Sequence, residues 1–195
     1  EIGLMVRAGA IAFSDDGDGV ADAGVCLRAM RYVSMFDRLF IQHCEDPALA
    51  GSGCMHSGTT ATRLGLSGIP AASEVVMVQR DLTLAAQAGV RYHVAHVSTR
   101  GAVELVRGAK QAGQRVTTEV CPHHLLLTDE ACGGFDTNYK MKPPLRGKAD
   151  VEACLQGVCD GTIDCLVTDH APHGRESKEH EFAYAPFGII GLETA

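Results

Sequence analysis

The stretch that decides the fold is EVVMVQRDLTLAAQAGVRYHVAHVSTRGAVELVRGAKQAGQRVTTEV, residues 74–120. Val75, Val78, Leu82 and Ala85 recur at the spacing of one helical face, and Gly89 stands where such a helix would end in a left-handed residue. Residues 92–96 form a short apolar run of strand type. Thr99 is suited to cap a second helix, whose inward stripe is Ala102, Val103, Val106 and Ala109 and whose end falls at Gly113. Residues 115–120 then give a second strand. A strand, a crossing helix and another strand imply parallel pairing, because parallel neighbours cannot be joined by a tight turn.

Working outward, strands are expected at 10–13, 39–42 and 165–168, and a third helix at 150–159 with Val151, Leu155 and Val158 inward. The fold class is therefore α/β, with about five strands. A closed (β/α)8 TIM barrel takes eight strands and about 250 residues, so a partial barrel is expected. The competing open doubly wound sheet lacks its GxGxxG signature after the first strand. The segment 44–70 is rich in glycine and small polar residues, and reads as a long loop with one short helix.

The chain has 195 residues, enough for one domain, with 46% hydrophobic and 21% charged residues. A formal charge of −7 with no basic stripe argues against nucleic acid or an anionic membrane as partner. No apolar run approaches the roughly 20 residues of a membrane-spanning helix. The eight cysteines show no CxxC pair and no regular period, and are expected to be reduced core thiols of a cytoplasmic protein, Cys165 and Cys26 among them.

Four ionisable residues close expected strands: Asp16 in IAFSDDG, His43 after LFIQ, His96 in YHVAH and Asp169 after CLVT. In a barrel of parallel strands these would share the C-terminal mouth, where barrel enzymes keep their active sites. Two imidazoles and two carboxylates suit zinc or a similar divalent ion. Taken singly, each has a plainer reading as a hydrogen-bonded histidine, a turn or a helix cap. Their recurrence at four strand ends favours a metal centre.

FSDDG (13–17), QHCED (42–46), HVAHVSTR (93–100), EVCPHHLLLT (119–128), NYKMKPPLR (138–146), VTDHAPH (167–173) and APFGIIGLETA (185–195) occur in this order. In that series the chain resembles the dihydroorotases of the amidohydrolase superfamily, a metal-dependent hydrolase type, in the bacterial form with an aspartate in place of a carbamylated lysine. The resemblance implies zinc-dependent, reversible hydrolysis of dihydroorotate to N-carbamoyl-aspartate in pyrimidine biosynthesis, with two zinc ions in the complete enzyme. It implies Asp16, His43, His96 and Asp169 as metal ligands, with Asp169 also the catalytic proton carrier. It implies Lys142, His173, Pro186, Phe187 and Gly188 as substrate-binding positions, and a homodimer or an assembly with aspartate transcarbamoylase.

Two departures stand out. The HxHxR of the family's first barrel strand has no counterpart among the nine histidines, and Lys142 stands where family members usually carry asparagine. The first, with a start at EIGLMVRAGA and a stop at GIIGLETA, leads to the expectation that residues 1–195 are the central part of one barrel domain, lacking the HxH strand and the C-terminal part. His123 and His124 are expected in a structural role, His93 against a helix on the side opposite His96, and His56 and His180 in solvated loops. Residues 173–181 read as a surface loop that could serve as a lid. The alternatives are a dihydropyrimidinase, hydantoinase or allantoinase, which usually carry the lysine, and a non-catalytic scaffold partner of aspartate transcarbamoylase.

Overall fold

The structure is a computed structural model that describes residues 1–15 and 17–194. The main sheet comprises β1 (Ala12–Ser14), β2 (Leu39–Gln42), β5 (Arg91–Val94), β6 (Val116–Val120) and β7 (Cys165–Leu166), while β3 (Met55–His56) and β4 (Gly68–Ile69) pair separately. The helices are α1 (Ile2–Arg7), α2 (Ala23–Ser34), α3 (Pro47–Ala50), α4 (Thr59–Leu64), α5 (Ala72–Ala88), α6 (Arg100–Gln111), α7 (Pro122–Leu126), α8 (Lys148–Cys159) and α9 (Arg175–Lys178).

All five strands of the main sheet run parallel in the order β1-β2-β5-β6-β7, so the order never reverses as it does in a doubly wound sheet. Phe40, Tyr92, Val94, Val116 and Val120 share one apolar core with Met30 of α2, Val78 and Leu82 of α5, Val103 and Val106 of α6 and Cys154 of α8. The crossover helices thus cover one face, as in a barrel wall. The opposite face carries the register row Ile41, His93, Thr117. The chain folds as part of a (β/α)8 barrel.

Local signals explain the well-placed elements. Asp22 and Thr99 accept the Val25 and Ala102 amides as N-caps of α2 and α6, and Gly89 ends α5 at φ 65°. Other expectations need correction. Residues 44–70 are not a bare loop: they hold α3, β3, α4 and β4, with Cys54, Met55, Ala61, Cys132 and Phe182 as a second small core. On α8 the buried residues are Cys154 and Gly157, while Leu155 and Val158 are exposed. A Cβ on Gly157 would stand 3.0 Å from Val103 and from Ile163, so the helix leans on its smallest residue. All eight cysteines are free thiols, but Cys159 and Cys165 are exposed rather than core.

Candidate metal centre

Parallel strands place every strand's C-terminal end on one rim, and a cavity of about 210 Å³ opens there, lined by Gly17, His43, His96, Met141, Lys142, Asp169, Ala171, Phe187 and Gly188. Six of these, His43, His96, Lys142, Asp169, Phe187 and Gly188, are site residues expected from the sequence. Asp16 lies outside the described residues, and Gly17 beside it reaches the cavity wall.

His43 and His96 are buried, and His43 Nδ1 lies 3.1 Å from His96 Nε2. Two nitrogens bound to one tetrahedral ion at about 2.0–2.1 Å each stand about 3.3 Å apart, so these rings already have the separation of a shared ligand pair. His96 has φ 30° and Asp169 φ 44°. Both side chains are therefore delivered to the rim by a backbone region that L-residues other than glycine rarely adopt, a strain typical of functional positions. The donor set, imidazole nitrogen with carboxylate oxygen, fits zinc.

Behind His96 the loop is held by a buried carboxylate. Glu74 of α5 accepts Ser98 N at 3.1 Å, Thr99 N at 3.0 Å, Thr99 Oγ1 at 2.7 Å and the Ser98 hydroxyl, with Arg146 Nη2 at 3.7 Å. Arg146 also donates to the Ile69 carbonyl and lies 3.4 Å from His56 Nδ1. His56 is accordingly half-buried on β3 rather than solvated, and burial, with Arg146 beside it, lowers its pKa. His93 is another correction. Tyr92 is the residue that faces the helices, whereas His93 lies on the opposite sheet face with Nε2 3.0 Å from Glu119 and Nδ1 2.7 Å from Thr117 Oγ1. Burial raises the Glu119 carboxyl, but His93 and the His96 amide outweigh it and hold it below its ordinary value.

The far wall is built by lysines. Lys142 pairs with Glu45 at 2.6 Å and lies 5.4 Å from the Phe187 ring centre. Lys140 is buried, donates to the Ala183 and Ala185 carbonyls, and sits 4.5 Å from the same ring. Lys178 donates to the carbonyls of Thr137, Pro186 and Gly188. Residues 173–181 therefore include α9 and are tied down through Lys178. His173 is exposed, does not line the cavity, and donates to the Phe187 carbonyl at 2.8 Å. Pro186 also lies outside the lining, and the Gly188 amide is used on the Lys140 carbonyl. Gly188 has φ 151°, and a Cβ there would stand 2.3 Å from the Ala171 carbonyl oxygen, so the segment can approach the rim only through glycine.

His123 and His124 on α7 are buried beside the centre. Burial, helped by His96, lowers the His123 pKa to about 4, and burial sets that of His124 well below its usual value.

The sequence profile of the dihydro-orotase-like family matches residues 1–102. The chain belongs to that family. The dihydroorotase of Pelotomaculum thermopropionicum is 55% identical over 195 residues, 100% of this chain and 46% of that protein. The dihydroorotase of Caldanaerobacter subterraneus is 52% identical over 195 residues, covering 45% of its length. The dihydro-orotase-like chain thus spans about half the length of the curated relatives it matches. Among solved structures, the L-hydantoinase (dihydropyrimidinase) of Arthrobacter aurescens superposes with a TM-score of 0.83 at 29% identity, over 100% of this chain and 46% of that one. The dihydropyrimidinase of Brevibacillus agri gives a TM-score of 0.82 at 22% identity over 97% of this chain and 44% of that one, a likeness of fold.

Sequence reasoning missed Glu45, Glu119 and Glu74 in this dihydro-orotase-like chain. Glu45 stands inside the QHCED motif, so proximity to His43 was a readable signal. Glu74 sits on the buried edge of the α5 stripe, where an acidic residue needs partners.

Proposed function

We propose that the protein containing this chain is a dihydroorotase: a cyclic amide hydrolase that opens L-dihydroorotate to N-carbamoyl-L-aspartate and closes it again in pyrimidine biosynthesis. The observation that carries this reading is the rim cavity, where His43 and His96 converge at 3.1 Å with Asp169 on the same wall. The family membership and relatives named dihydroorotase at 51–55% identity support the choice of ring.

In this reading Asp16, His43, His96 and Asp169 hold zinc, two ions in the complete enzyme. When bound, the metal supplies a nucleophile at neutral pH and polarises the scissile carbonyl. Asp169 takes the proton of the attacking water and returns it to the leaving ring nitrogen, base first and acid second. Lys142 is the cation of the cavity wall, and Glu45 holds its ammonium in place for the substrate carboxylate. Phe187 and Met141 give the ring an apolar surface, while His173 on the Phe187 carbonyl and Lys178 on the Pro186 carbonyl hold the segment from outside.

No helix among the described residues is long and apolar enough to cross a membrane. We place the protein in the cytoplasm, as a homodimer or in an assembly with aspartate transcarbamoylase. The second reading, a hydantoinase or dihydropyrimidinase, has in its favour the L-hydantoinase superposition at TM-score 0.83. Turnover of L-dihydroorotate beside hydantoin and dihydrouracil by the full-length protein separates the two. Turnover of hydantoin or dihydrouracil in place of dihydroorotate would transfer the assignment.

A further inference from the structure

Cys121, His123 and His124 lie at the end of β6 and on α7, and none of them lines the cavity of the rim. They are 0%, 5% and 2% exposed, and the Cys121 sulfur and one ring nitrogen of each histidine lie within 4.8 Å of one another. Among the described residues, neither ring nitrogen of His123 has a hydrogen-bond partner, nor has Nδ1 of His124. Buried polar atoms in folded proteins are nearly all partnered, so three such nitrogens on two adjacent histidines beside a buried thiol need an explanation.

The orientation of His124 supplies one. Its Nε2 lies 2.9 Å from the Pro143 carbonyl oxygen. A carbonyl only accepts, so Nε2 carries the hydrogen and Nδ1 keeps its lone pair. Holding one imidazole nitrogen on a backbone carbonyl, which leaves the other with its lone pair, is how metal-ligating histidines are oriented.

We propose that Cys121, His123 and His124 form a further cation site, distinct from the centre of His43, His96 and Asp169, for a borderline-soft divalent ion such as zinc. A thiolate with two imidazoles is a zinc ligand set. Donors around one tetrahedral zinc stand about 3.3–3.6 Å apart, from bonds of about 2.0–2.3 Å. The donors lie within 4.8 Å of one another, so binding an ion would draw them together to that spacing. Through the His124–Pro143 contact the bound ion ties the β6 rim to the segment that carries Lys142, which gives it a structural role. The proposal does not depend on which cyclic amide the protein opens.

Sulfur makes it testable, because the other centre has only nitrogen and oxygen donors. The experiment replaces the bound metal of the purified full-length protein with cobalt, records its absorption spectrum and counts metal per chain. Wild type is expected to show a thiolate-to-cobalt charge-transfer band. The band persists in Cys54→Ser and disappears in Cys121→Ser and His123→Asn, with one equivalent of metal lost per chain. A cobalt-loaded wild type without the band overturns the proposal, whether or not the variants fold. So does a Cys121→Ser protein that keeps both the band and the full metal content.

Discussion

Removing the Glu74 carboxylate should loosen the loop that carries His96. The residue is 2% exposed, and its carboxylate accepts from Ser98 N, Thr99 N and Thr99 Oγ1 at 3.1, 3.0 and 2.7 Å, and from the Ser98 hydroxyl. Arg146, also 2% exposed, has Glu74 as its ion-pair partner at 3.7 Å. Glu74→Ala strands these donors and leaves a buried guanidinium without that carboxylate. Breaking a buried pair from one side costs about 3–5 kcal/mol, a large share of the roughly 5–15 kcal/mol that holds a typical protein folded. Glu74→Gln keeps one acceptor oxygen but loses the charge, and should cost about 1–3 kcal/mol. The assay is urea unfolding of the full-length protein with metal content measured in parallel. Because Ser98 is two positions beyond His96, metal retention should fall in the same order, wild type above Gln above Ala. An alanine variant within about 1 kcal/mol of wild type, with full metal content, would refute the reasoning.

Gly188→Ala should destabilise the protein by about 2–3 kcal/mol, since it combines an unfavourable backbone region with a clash against the Ala171 carbonyl. It should also lower kcat/KM, and unchanged kinetics would contradict the close approach. Lys142→Ala should raise KM for dihydroorotate roughly ten- to hundredfold, the loss of one charged hydrogen bond of about 1.5–3 kcal/mol. A loss confined to kcat would count against a role in gripping the carboxylate. Asp81 is fully buried; burial raises its pKa despite Arg80 at 2.7 Å. A carboxyl whose folded pKa is raised binds its proton in the native state first, so wild type should gain stability relative to Asp81→Asn as pH falls toward 4. Thermal unfolding of both proteins from pH 8 to 4 checks this, and a wild type that loses stability relative to Asp81→Asn as pH falls would mean that the Arg80 pair prevails.

The barrel wall was legible because its signals are local. Gly89, Thr99 and the stripe of Ala102, Val103, Val106 and Ala109 each act within a turn or two of the chain, and strand 39–42 matches β2 residue for residue. The metal-ligand candidates could be found because strand ends in a parallel sheet share a rim. What failed depended on partners distant in sequence. Apolar periodicity marked Leu155 and Val158 on α8, but the contact with Val103 and Ile163 is made through Gly157, which carries no hydrophobic signal. The β3–β4 pair was hidden because two strands of two residues each are too short for a period. Alternation was carried from His93 to His96, but β5 ends at Val94 and His96 has φ 30°, so the strand period does not reach it, and the sheet face given to His93 was wrong. Tyr92, next to it, holds the helix side with its hydroxyl on Asp81 and Cys44. Lys142 was singled out from its motif, but its pairing with Glu45 is a tertiary fact.

The most direct test of the account is zinc-dependent hydrolysis of L-dihydroorotate by the full-length protein, set beside its Asp169→Ala variant. The account predicts turnover that falls on chelation, returns with zinc, and drops by at least about a hundredfold in the variant. A metal-loaded protein that leaves dihydroorotate untouched, or an Asp169→Ala variant with wild-type turnover, would contradict it.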